Sequence, residues 1–130
     1  MASIREEIRI EAPPEDVWDA LRDVGALHTR LVPGFVVDTT LEDGARIVTF
    51  GDGLVARELI VDVDEAGRRV VWAAVGGRMT HHNASAQVFA DGDATRFVWI
   101  ADLLPHELAA DVRTLMRQGC AVIKRTLERR

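Results

Sequence analysis

Residues 105–127 read PHELAADVRTLMRQGCAVIKRTL. Leu108, Val112, Leu115, Met116, Gly119, Val122, Ile123 and Leu127 recur at three- and four-residue steps, which puts them on one side of an α-helix. Pro105 suits the first turn, where its missing N–H would go unpaired anyway. Glu107 and Asp111 lie in the first turns, and Lys124, Arg125, Arg129 and Arg130 in the last. Both biases favour the helix dipole. Such a helix would be roughly 35 Å long. Its apolar side needs a partner, and almost everything before it reads as strand, so the pattern predicts a curved sheet wrapped around this helix.

The strands supply that partner. Ile4, Ile8, Ile10 and Ala12 alternate with Arg5, Glu7, Arg9 and Glu11, a half-buried strand whose apolar face is interrupted by Glu6. Pro13-Pro14 ends it. Pro14, Glu15 and Asp16 start a short helix with Val17, Leu21 and Val24 on its apolar side, and a second helical turn covers Leu27 to Leu31. Six strand candidates follow: Phe35–Leu41, Arg46–Phe50, Val55–Val63, Val70–Val75, Thr80–Phe89 and Thr95–Leu103. Asp43-Gly44, Asp52-Gly53, Ala66-Gly67, Gly76-Gly77 and Asp91-Gly92 punctuate them, and joins this short predict antiparallel neighbours. The reading is α+β: about seven antiparallel strands in the order β-α-α-β6-α, one domain over residues 1–130.

Composition narrows the function. The chain has 130 residues, 48% of them hydrophobic, enough for a real core. Net charge is −5 and the basic residues form no stripe, so nucleic acid is not an expected partner. One cysteine, Cys120, precludes an internal disulfide and suits a reducing cytoplasm. No run is long enough to span a membrane, and no signal peptide is expected. No HExxH, paired CxxC or acidic ligand cluster is present, so neither a metal nor a cofactor is expected. The GDG and GG turns lack the strand-to-helix setting of a phosphate cradle. GxSxG is missing, and Cys120 stands mid-helix without an evident base, which leaves nucleophilic catalysis little support.

The element order resembles that of the SRPBCC superfamily, which includes START domains, birch-pollen-allergen-like proteins and polyketide cyclase/dehydrase-like proteins. The stretch Ile10-Glu11-Ala12-Pro13-Pro14-Glu15-Asp16-Val17-Trp18 and the segment Gly92-Asp93-Ala94-Thr95-Arg96-Phe97-Val98-Trp99 are similar to short bacterial members of the polyketide cyclase/dehydrase-like group. The resemblance implies a helix-grip fold, in which the long helix lies across the sheet over a cavity. It brings no universal catalytic motif to carry over.

The residues themselves must say what a cavity would hold. Strand alternation groups Thr80, His82, Ala84, Ala86 and Val88 on one face, Val70, Trp72 and Ala74 on another, and Phe97, Trp99 and Ala101 on a third. If these faces look inward, Trp72, His82, Ala84 and Trp99 line the cavity from the sheet, with Leu115, Met116 and Gly119 above them and His28 at the mouth. Gly119 either leaves room for a ligand or admits a bulky neighbour; the tryptophans either form flat cavity walls or are ordinary core. In Val55–Val63 the more apolar alternate set contains Arg57, which points it inward.

Three functions are compatible with this. The first is binding of a small hydrophobic molecule. The second is a polyketide cyclase/dehydrase-like enzyme in which His82 and Arg57 serve as acid/base and anion partner; the plainer alternatives are a rim or satisfied core histidine for His82 and a structural ion pair with Glu6 or Glu58 for Arg57. The third is a homodimeric interaction module covering an outer apolar patch at Val98 and Ile100.

Overall fold

The computed structural model describes residues 1–129; Arg130, placed above in the basic helix end, lies outside them. Strand β1 (Ala2–Ile10) leads into helix α1 (Pro14–Arg22) and a π-helical turn at Leu27–Leu31. A meander follows: β2 (Val36–Glu42), β3 (Ala45–Phe50), β4 (Val55–Asp64), β5 (Arg69–Val75), β6 (His81–Asp91) and β7 (Ala94–Leu104). A 3-10 turn at His106–Leu108 then feeds the long helix α2 (Ala109–Glu128).

All strand pairs are antiparallel, in the order β1-β7-β6-β5-β4-β3-β2. The first strand thus lies beside the last, and β1 and β2 are the edges. This is the α+β architecture that the sequence pattern predicts, with the helix grip that the family resemblance implies. Among the described residues no helix is long and apolar enough to cross a membrane.

Three local expectations need correction. Pro105 does not open the helix; it is extended (φ −71°, ψ 151°), and α-helical geometry starts only at Ala109. The chain must first turn off β7, and the 3-10 turn does this. In β4 the register shifts between Ile60 and Asp62, a bulge that breaks the two-residue alternation. Val98 is only 5% exposed, so it contributes little to the outer apolar patch expected at Val98 and Ile100, and Ile100 is half-buried. Val98 lies between Glu7 and Gln87 in the ladder, whose longer side chains stand on the same outer face.

Helix α2 packs mainly along β1 and reaches the Leu27–Leu31 turn. Met116, Gly119, Cys120, Ile123 and Leu127 are its buried side. Polar ties fix its position. Glu6, the interruption in the β1 apolar face, takes Arg117 at 2.8 Å and Arg113 at 3.5 Å. Farther along, Lys124 Nζ donates to the Arg9 carbonyl at 2.6 Å, and the Glu11 N–H donates to Glu128 Oε2 at 2.8 Å. A carboxylate on an apolar strand face is costly unless paired, and here the pairing seats the helix. Replacing Glu6 by Gln keeps the shape and removes the charge. The variant is expected to lose about 1 kcal/mol in urea unfolding, with a smaller loss at high salt, because both arginines are partly exposed.

Candidate functional site

Between the middle of the sheet, the Leu27–Leu31 turn and α2 lies a cavity of about 80 Å³. Strands β3, β5, β6 and β7 give it Val48, Trp72, Ala86, Phe97 and Trp99. Leu21, Leu27 and Leu31 close it from the first helices, and Ile123 closes it from α2. Trp72 and Trp99 lie 6.1 Å apart at 51°. The Trp99 indole nitrogen is buried and has no hydrogen-bond partner.

The wall contains one ion pair. Arg46 and Glu58 face each other across β3 and β4, with Arg46 Nε 2.8 Å from Glu58 Oε1. They are 3% and 8% exposed. Arg46 also donates to the Val24 carbonyl at 3.2 Å, and its guanidinium lies 5.4 Å from the Trp72 ring centre, within cation–π range. Charges removed from water this completely require such partners.

Strand parity hid this pair in the sequence. Glu58, not Arg57, points inward. Arg57 is half exposed on the outer face and bonds Glu42 at 3.2 Å, so its role as a cavity anion partner fails and the structural ion pair holds, with Glu42 in place of Glu6 or Glu58. The apparently more apolar set containing it is the outer one, with Val55 and Val61 more than half exposed. The bulge after Ile60 then returns Val63 to the core side, which made a regular alternation look convincing. Arg46 could have been found: it shares parity with Val48 and Phe50, and a charge on that face demands a partner.

His82 shares the inner face with buried Ala84 and Ala86 but does not line the cavity. The β5–β6 ladder stops at Trp72–Ala84. Just beyond, the Ala74 N–H donates to His82 Nδ1 at 2.9 Å, so the imidazole takes the place of a missing strand carbonyl. Burial, and secondarily the neighbouring His81, hold its pKa below the usual histidine value, while Asp102 pulls the other way. An accepting Nδ1 and a disfavoured charge both mark a neutral, structural ring. The assignment of His82 and Arg57 as catalytic partners in one cavity is therefore overturned.

The other expected ligand contacts divide. Trp72 and Trp99 line the cavity. Ala84 and Met116 are 2% exposed but belong to the packed core beside it, and their places in the wall are taken by Ala86 and Ile123. His28 bonds Thr39 Oγ1 at 3.1 Å, and its neighbours Leu27 and Leu31 reach the cavity instead. Gly119 admits the bulky neighbour: a Cβ there would come within 2.9 Å of Trp99 Cζ3. Leu115 is 45% exposed and faces a separate outer recess. Cys120 is on the buried side of α2, where desolvation and the nearby Glu6 push its thiol up to about 11. It stays protonated at neutral pH and is a poor nucleophile. Among the described residues no three potential metal ligands come together.

Two outcomes follow from this geometry. Truncating Arg46 or Glu58 alone is expected to cost about 3–5 kcal/mol, because a buried charge is stranded. Replacing both with apolar residues of similar volume should restore most of that loss in urea unfolding. For His82, the unfolded chain binds the proton more readily than the folded one. Its contribution is complete above about pH 6.5 and falls as the pH drops below that value. The wild-type unfolding midpoint should therefore decline more between about pH 7.5 and about pH 5.5 than that of H82Q.

Residues 1–128 match the family model described as polyketide cyclase/dehydrase and lipid transport. No curated protein matches it in sequence. Among solved structures, a Thermobifida fusca protein is 28% identical, with TM-score 0.79 over 98% of this chain and 91% of that one. XoxI from Bacillus cereus has TM-score 0.88 at 15% identity, covering 98% and 96% of the two chains. Norcoclaurine synthase from Thalictrum flavum has TM-score 0.69 at 18% identity, covering 95% and 84%. Matched along its length and folded as a helix-grip domain, the chain belongs to the polyketide cyclase/dehydrase and lipid transport family of the SRPBCC superfamily.

Proposed function

We propose that the protein binds a small, uncharged hydrophobic molecule in the cavity between its sheet and α2. The supporting observation is the wall itself: aromatic and aliphatic side chains surround a single ion pair of zero net charge. Apolar cavities with few placed polar groups are the usual form of small-molecule sites. The aliphatic and indole surfaces reward an apolar ring by area removed from water. A charged ligand would have to shed its hydration without a free counter-charge, since Arg46 and Glu58 already neutralise each other. Family membership, with lipid transport in its description, points the same way.

Binding to the folded state alone raises its stability in proportion to the logarithm of ligand concentration. Toluene and indole are expected to raise the melting temperature by several degrees at saturating concentration, whereas benzoate and benzylammonium are not. Filling the cavity with Ala86→Leu should abolish the response. A flat response to every neutral ligand, or an equal response to the charged ones, would contradict the reading.

A further inference from the structure

The cavity has a second room. A recess of about 220 Å³ lies outside it, lined by Gly34, Phe35, Phe50, Gly51, Asp52, Leu54, Leu115 and Gln118. Phe35 and Phe50 belong to both walls. Their rings meet edge to face, 5.7 Å apart and at 87°, so this one aromatic pair is a shared boundary between inner cavity and outer recess. Both rings are only half-buried. Each side chain stands on a braced backbone: the Gly51 N–H donates to the Phe35 carbonyl at 3.0 Å, and the Phe50 N–H to the Leu54 carbonyl at 2.8 Å. The two loops are thus joined where the rings are joined. Rotation of the side chains can open the boundary without parting the backbone.

Size gives the recess its meaning. The inner cavity is about half as large as an apolar cavity of about 150 Å³ known to take up benzene. A ring that enters it lies against the phenylalanines, and a substituent directed toward the recess passes beside them. Beyond them Leu54 and Leu115, 59% and 45% exposed, offer apolar surface to the recess. Asp52 and Gln118 at the rim are the polar residues of this recess.

Resting on the cavity reading above, we propose that Phe35 and Phe50 form a gate through which one elongated ligand occupies both rooms. Its ring sits in the inner cavity against Trp72 and Trp99. Its unbranched apolar tail passes the gate and lies on Leu54 and Leu115. The ligand class is therefore a ring bearing an alkyl chain, neutral along its length, with any polar end at the Asp52–Gln118 rim.

The probe series is toluene, n-butylbenzene and n-hexylbenzene, titrated into the wild type, L54D and L115D and read by calorimetry. Both leucines are exposed, so the substitutions should fold. Each methylene that becomes buried should tighten wild-type binding up to about fourfold. That rise with chain length should be largely lost in L54D and L115D. Toluene binding with no rise in the wild type, or a rise that persists in both variants, overturns the two-room site and leaves the cavity reading intact. No binding by any member of the series overturns both.

Discussion

The seat of α2 on the edge strand determines what the rest of the molecule can be. Glu6 and Trp99 are cross-strand neighbours on β1 and β7. Glu6 takes two arginines of the helix, and Trp99 presses into the place where residue 119 has no side chain. The helix is thus fixed toward one side of the sheet, with Lys124 and Glu128 binding it to the end of β1. The middle of the sheet curves away beneath it, and the resulting space is closed by the Leu27–Leu31 turn and the two phenylalanines. An internal glycine costs about 1 kcal/mol relative to alanine in a helix. Here that cost permits an indole to fill the gap at the seat.

Inside the space, electrostatics and apolar packing act together. A lone arginine or glutamate on this wall would be prohibitively desolvated, whereas the Arg46–Glu58 pair, with Trp72 against the guanidinium and the Val24 carbonyl at its end, satisfies both charges. The wall is polar in composition at that point, with zero net charge and a local dipole. Under the proposed function, this combination would favour an uncharged guest and give it a fixed electrostatic landmark for orientation.

The fold was legible because its signals are local and repeated: one long 3.6-residue stripe, six alternating segments and glycine turns between them. The side of each strand was harder to read. Trp72, Trp99 and the Ala84–Ala86 face came out inward because their strands are regular. Arg57 came out wrongly inward because a bulge after Ile60 rejoined the apolar count on the other side. His82 lay on the expected face, yet an imidazole that accepts a backbone N–H leaves no trace in sequence. The Glu6 pairing with residues more than a hundred positions away is likewise a tertiary fact. It explains a charge that sequence reasoning registered only as an interruption.

The most direct test of the central claim is a crystal pressurised with xenon, which enters dry apolar cavities in proteins. The account predicts a xenon peak enclosed by Trp72, Phe97, Trp99 and Ile123, inside the phenylalanine pair. A crystal that diffracts equally well and shows no xenon there, with those side chains collapsed onto one another, would contradict it.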